Sequence, residues 1–187
     1  MSAFVSRAGE KLAHGLSAWR LDVHRLTCAD FGCSTGGFTD CLLQNGAVKV
    51  YAVDTGYGVL DWKLRNDPRV VVMERTNAMH VELPEKMDFI SIDASWTRLE
   101  KLAENALRNL KPDGRIVALL KPHYEADPSL LRKGKLPPAR VGEVVAGVIG
   151  RLEQLGLKTS AQTMSPLTGK KGDNVEILLL LLPKAMA

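Results

Sequence analysis

Three aspartates and a lysine stand at the ends of apolar runs: Asp30 near the end of 26–31, Asp54 after 48–53, Asp93 after 87–92 and Lys121 after 115–120. If these runs are strands of a mostly parallel sheet, the four side chains collect at its carboxyl edge, where α/β sheets bind their ligands. Carboxylates and a lysine gathered there are the groups that orient a hydroxyl and move its proton. Between Asp30 and Thr39 the chain reads Asp-Phe-Gly-Cys-Ser-Thr-Gly-Gly-Phe-Thr. Glycine has no Cβ, so a ligand can approach such a turn closely, and the helix that follows offers unpaired N–H groups. The spacing excludes two familiar ligand classes. The dinucleotide fingerprint needs glycine at position 34, which is Ser34, and no Gly-Lys-Ser/Thr follows to make a P-loop.

The elements that must hold these residues follow from periodicity and turn chemistry. Ser6 is positioned to cap a helix reaching residue 19, with Ala8, Leu12, Leu16 and Trp19 on one apolar stripe. Arg7, Lys11 and His14 share another face of that helix, which on pattern alone reads as solvated. Strands are expected over 26–31, 48–53, 70–73, 87–92, 115–120, 157–164 and 175–182. Helices are expected over 38–44, 60–65, 99–110 and 141–155, with Lys111-Pro112-Asp113-Gly114 as a turn. Alternating strands and helices give an α/β fold with helices on both faces of a mostly parallel seven-stranded sheet. Only a short loop joins the last two strands, so they are antiparallel neighbours and the final strand runs against the sheet. Residues 123–140 are polar, basic and rich in proline, too long for a plain connection, and form a candidate substrate loop or lid.

Composition narrows the function classes. The chain has 187 residues, the length of one domain, and a net charge of +4, which suits an anionic partner such as RNA. The three cysteines, Cys28, Cys33 and Cys41, form no CxxC pair and have no histidine cluster beside them. They read as reduced, buried thiols, and no metal site is expected. No signal peptide is visible. The longest apolar run, 177–182, is far below the roughly 20 residues that span a bilayer, so a cytoplasmic protein without membrane contact is expected. No Pro-Cys pair offers the nucleophile of a cytosine C5 methyltransferase, and no Asn/Asp-Pro-Pro-Tyr segment suits amino-group methylation. His80 and His123 are single and read as surface or loop residues.

The glycine turn resembles the first motif of S-adenosylmethionine-dependent methyltransferases, in which it holds the amino-acid end of the cofactor. An acid ending the next strand, here Asp54, would accept hydrogen bonds from the ribose hydroxyls. Taken together, the segments 5–12, 34–40, 51–58, 74–77, 121–122 and 174–176 resemble the TlyA (haemolysin A-type) branch of the FtsJ-like ribose 2′-O-methyltransferases, over about residues 2–182. The resemblance implies a single Rossmann-like class I methyltransferase domain over 1–187, with the helix that carries Lys11 in residues 1–25. The N-terminal ribosomal-protein-like RNA-binding domain of that family has no counterpart in these residues. It implies S-adenosylmethionine as cofactor, held by Asp30, Gly32, Ser34, Thr35, Gly36, Gly37, Phe38, Asp54, Asn77 and Asp93. Ribosomal RNA or a ribosomal subunit is the implied partner.

The same resemblance implies a catalytic tetrad of Lys11, Asp93, Lys121 and Glu176. Lys121 would be central, Lys11 would place the hydroxyl or an RNA phosphate, Asp93 would lie nearest the methyl group, and Glu176 would brace a lysine. The chemistry stands independently of the resemblance. A ribose 2′-hydroxyl is a weak nucleophile, a lysine can orient it and take its proton, and carboxylates fix the lysine's geometry. Arg132, Lys133, Lys135, Arg140, Lys170 and Lys171 would hold phosphates, and Tyr124 or Trp96 would stack on a base. The alternatives are an inert RNA-binding or ribosome-assembly module that retains a cofactor pocket, and methyl transfer to a small molecule or protein.

Overall fold

A computed structural model describes residues 3–95, 97–168 and 174–184. The chain runs α1 (Ala8–Ala18), β1 (Thr27–Phe31), α2 (Gly37–Gln44), β2 (Lys49–Val53), α3 (Trp62–Arg65), β3 (Val70–Met73), β4 (Met87–Ile92), α4 (Leu99–Asn109), β5 (Leu110–Leu120), α5 (Pro122–Glu125), α6 (Pro138–Gln154), β6 (Leu157–Met164) and β7 (Ile177–Pro183). The strands form one sheet in the order β3-β2-β1-β4-β5-β7-β6. The first five pair in parallel, and β7 is antiparallel to both β5 and β6. This is the expected α/β architecture, and its order reverses between β1 and β4, which opens a crevice at the carboxyl edge.

Side-chain alternation divides the core into two layers. Ala29 and Phe31 of β1, with Ile116, Ala118 and Leu120 of β5, face α4 and α6. Cys28 of β1, with Val117 and Leu119 of β5 and Leu178 and Leu180 of β7, face α1, α2 and α3. Both faces are therefore covered, and β1, β2, β4 and β7 are buried almost continuously, whereas the edge strand β6 alternates. All three cysteines are buried and free. Burial pushes the Cys28 and Cys41 thiols up to about 12 and the Cys33 thiol higher still, so they act as small apolar groups.

Four expectations are corrected. Ser6 does not cap α1: Arg7 holds that position without a side-chain bond, and the Ser6 carbonyl accepts from Gly9 N at 3.1 Å. The basic face of α1 is not solvated. It docks toward β6 and β7, where Lys11 is buried against Glu176, Arg7 donates to the Thr168 carbonyl, and His14 Nε2 lies 3.4 Å from Thr163 Oγ1. The Lys111–Gly114 turn is absorbed into β5 as a bulge. Met87 pairs with Leu110 and Phe89 with Arg115, so residues 111–114 stand opposite Asp88, which Lys111 Nζ holds at 2.5 Å.

Residues 123–140, finally, are not one long loop. They contain α5, a 3₁₀ turn (Pro128–Leu130) and a tight turn with Lys133 and Gly134 at positive φ, closed by Arg132 and Lys135 backbone bonds of 2.8 and 3.0 Å. Asn174 clips this segment, donating to the Gly134 carbonyl at 3.1 Å and accepting from Leu136 N at 3.2 Å.

Candidate active site

The end of β1 and the end of β4 approach so closely that only glycine fits between them. A Cβ on Gly32, at φ +84°, would lie 2.8 Å from the Asp93 carbonyl oxygen. The turn then passes through Ser34, also at positive φ, whose N–H donates to Asp54 Oδ2 at 2.8 Å. Asp54 Oδ1 accepts from Gly56 N at 2.7 Å, so this carboxylate ties the β1–α2 turn to the loop after β2. Beneath that loop, Glu74 accepts from the N–H groups of Gly58, Val59 and Leu60 and from Arg65, and these donors hold its carboxyl down at about 2.

The rest of the turn works on packing. Asp30 is fully buried. Its Oδ2 accepts from Thr39 N and Oγ1 at 2.9 and 2.8 Å, and its Oδ1 accepts from Ser91 Oγ at 2.9 Å. Burial raises its pKa to about 7 against the opposing pull of these bonds. A Cβ on Gly36 would meet Leu64 at 2.3 Å, and one on Gly37 would meet Ser6 Oγ at 2.3 Å and Gly9 N at 2.8 Å. Asp30, Gly36 and Gly37 thus shape the turn from behind, whereas Gly32, Cys33, Ser34, Thr35 and Phe38 line the cleft in front of it.

The cleft has two lobes. One, of about 280 Å³, is bordered by Asp54, Thr76, Asn77, Thr97 and the apolar Val53, Ala78 and Leu102. The other, of about 390 Å³, is bordered by Arg7, Lys11, Lys121, His123, Tyr124 and Glu176. Gly32, Ser34, Asp93 and Ser95 border both, so the lobes meet at the glycine turn. Such a cleft suits an elongated ligand whose flat apolar part and hydroxyls lie in the first lobe and whose reactive end reaches the second.

Two ion pairs furnish the second lobe. Lys121, just past β5, donates from Nζ to Asp93 Oδ1 at 2.5 Å and Ser95 Oγ at 3.1 Å. Lys11, on α1, pairs with Glu176, just before β7, and both side chains are less than a tenth exposed. The four residues singled out at distant points of the sequence therefore share one cavity. Asn77 stands in the first lobe and accepts from Met79 N at 2.9 Å through Oδ1.

The exposed basic residues Arg132, Lys133, Lys135 and Arg140 do not line either lobe, and Arg140 pairs with Glu143 at 2.8 Å. Lys170, Lys171 and Trp96 lie outside the described residues. Sequence reasoning passed over Ser95 and placed His123 on the surface or in a loop. In the structure His123 follows Pro122 at the start of α5 and turns into the wall of the second lobe. Proline beside a strand-end lysine was the available signal, because proline fits the first position of a helix. Among the described residues, no three His, Cys, Asp or Glu side chains gather as metal ligands, and no helix is long and apolar enough to cross a membrane.

Comparison with known proteins identifies the family. The chain is 41% identical over 186 residues to the 16S/23S rRNA (cytidine-2′-O)-methyltransferase TlyA of Mycobacterium tuberculosis, covering 96% of this chain and 68% of that protein. It is 38% identical to the protein named Hemolysin A of Brachyspira hyodysenteriae, covering 94% and 75% respectively. A solved structure described as a hemolysin from Streptococcus thermophilus superposes with a TM-score of 0.95 at 35% identity, covering 99% of this chain and 69% of that one. The model of the FtsJ-like methyltransferases matches residues 4–181, and the chain belongs to that family.

Proposed function

We propose that the protein transfers a methyl group from S-adenosylmethionine to a ribose 2′-hydroxyl of ribosomal RNA, in the cytoplasm, with Lys11, Asp93, Lys121 and Glu176 as its catalytic tetrad. The observation that carries this reading is the convergence of two lysine–carboxylate pairs on one lobe of a cleft whose other lobe carries Asp54 and Asn77. The rRNA (cytidine-2′-O)-methyltransferase named among the relatives supports the substrate class.

The residues present fit the cofactor. Gly32 and Ser34 border both lobes, each Asp54 oxygen retains a lone pair for a ribose hydroxyl, and Val53, Ala78 and Leu102 offer apolar surface for an adenine. S-adenosylmethionine, when bound, supplies an electrophilic methyl on a sulfonium. The protein's part is alignment. Asp93 and Ser95 fix the Lys121 Nζ, Lys121 orients the 2′-hydroxyl, and the Lys121–Asp93 pair takes up its proton as the O–CH₃ bond forms. The sulfur of that cofactor would keep the electron pair of the S–CH₃ bond. Glu176 holds Lys11 across the lobe, where the ammonium binds the hydroxyl or its flanking phosphate. Transfer of labelled methyl to unmethylated ribosomal subunits tests this. The wild-type protein labels RNA, and Lys121→Ala loses at least about 100-fold of that activity while still binding cofactor. Salt-sensitive RNA binding without any transfer would instead identify an inert binding module.

A further inference from the structure

One group in the second lobe has no place in the tetrad. His123 borders the lobe beside Lys121 and Glu176, yet its Nδ1 is shut off from solvent and has no hydrogen-bond partner. Its ring leans on Tyr124, with centroids 4.1 Å apart and planes tilted by 44°. A neutral imidazole carries its proton on one nitrogen only. Among buried backbone groups an N–H without an acceptor is a rarer orphan than a bare acceptor, and by the same reasoning we assign the hydrogen to Nε2 and the bare position to Nδ1. Burial lowers the pKa of the ring, with Lys121 acting in the same direction and Glu176 opposing, which favours the neutral form. With Nδ1 enclosed, the opposite ring edge is the one left to meet the cavity. His123 borders the second lobe but not the first, which places it at the acceptor's end rather than the adenosine end.

We infer that His123 is a binding residue for the acceptor nucleotide, donating from Nε2–H to an acceptor atom of that nucleotide beside Lys121. The inference rests on the proposed methyl transfer to RNA and adds a substrate contact to it.

Side-chain amides separate a donor from a base. Gln places an N–H near the position of Nε2, Asn places one near Nδ1, and neither can take up a proton. His123→Ala, His123→Gln and His123→Asn are compared with wild type for methyl transfer to unmethylated ribosomal subunits and for binding of S-adenosylhomocysteine. The expected result is a fall of about tenfold in kcat/KM for RNA in the Ala and Asn variants, the size of one lost hydrogen bond, with recovery to near wild type in Gln and unchanged cofactor affinity in all three. Wild-type activity in the Ala variant overturns the inference, as does a Gln variant as impaired as Ala, because the ring would then act by exchanging a proton. Equal recovery by Asn overturns the assignment of Nε2. Absence of transfer by the wild-type protein overturns the functional proposal itself, and this inference with it.

Discussion

The Lys11–Glu176 pair separates what the site contributes to stability from what it contributes to chemistry. Its side chains are 8% and 4% exposed, so both charges are held out of water. Removing one partner of such a pair strands the other, at about 3–5 kcal/mol. Glu176→Gln keeps the shape and one acceptor oxygen, which places it at the lower end, about 3 kcal/mol. For a chain of this size that lowers the melting temperature by roughly 6–12 °C. Replacing both partners by apolar residues of similar volume, Lys11→Met with Glu176→Met, removes the stranded charge. Stability should return to within about 1 kcal/mol of wild type. Methyl transfer by the double variant should stay at least about 100-fold below wild type, because no ammonium remains at that wall of the lobe. Chemical denaturation and labelled-methyl assays on the two variants and wild type make the comparison. If Glu176→Gln melts with wild type, the pair is not the buried contact described. If the double methionine variant transfers methyl at near wild-type rates, Lys11 and Glu176 are scaffolding and the tetrad fails.

Three more outcomes follow from named contacts. Asp30 binds a proton up to about pH 7 when folded but only to about 3.8 when unfolded, so its contribution to stability is full below about pH 4 and lost as pH rises through about 7. That is worth about 4 kcal/mol, and wild type should lose this stability relative to Asp30→Asn between about pH 4 and 7; parallel denaturation curves would count against it. Gly37→Ala places a methyl 2.8 Å from the backbone N of Gly9, so α1 must shift and carry Lys11 with it. Activity should fall more than cofactor binding, and Ser6→Gly should not rescue it, because the Gly9 backbone still obstructs. Asp54→Ala should weaken S-adenosylhomocysteine binding by about 10- to 100-fold in a calorimetric titration, the scale of hydrogen bonds to a charged acceptor.

Legibility in the sequence depended on whether a residue's environment was local. Strands β3, β4 and β6 lie where they are expected, β3 and β4 as short apolar runs and β6 as an alternating stretch. The antiparallel end of the sheet was readable because one short loop forbids a crossover. The face of α1 was misjudged for the opposite reason. Nothing within residues 7–14 reveals that Glu176, 165 positions further on, will bury Lys11. Asp30 was legible as an acid in a glycine turn, but its burial depends on Thr39 and Ser91, which arrive from α2 and β4. His123 was missed because a four-residue helix is too short to show periodicity. Asp93 and Lys121 were placed at one sheet edge by their strand ends, but the proposed tetrad as a set came from motif resemblance, because no spacing in the chain joins Lys11 and Glu176 to them.

The most direct measurement is the chemical position of the transferred methyl. Ribosomal subunits labelled by the wild-type protein are stripped to RNA, hydrolysed in alkali and digested to nucleosides for mass spectrometry. Alkaline cleavage needs a free 2′-hydroxyl, so a 2′-O-methyl group leaves an alkali-resistant dinucleotide. The expected result is label confined to that dinucleotide and to one 2′-O-methylnucleoside, and its disappearance with Lys121→Ala. Label on a base, or label that persists in the Lys121→Ala variant, would contradict ribose methylation by this cleft.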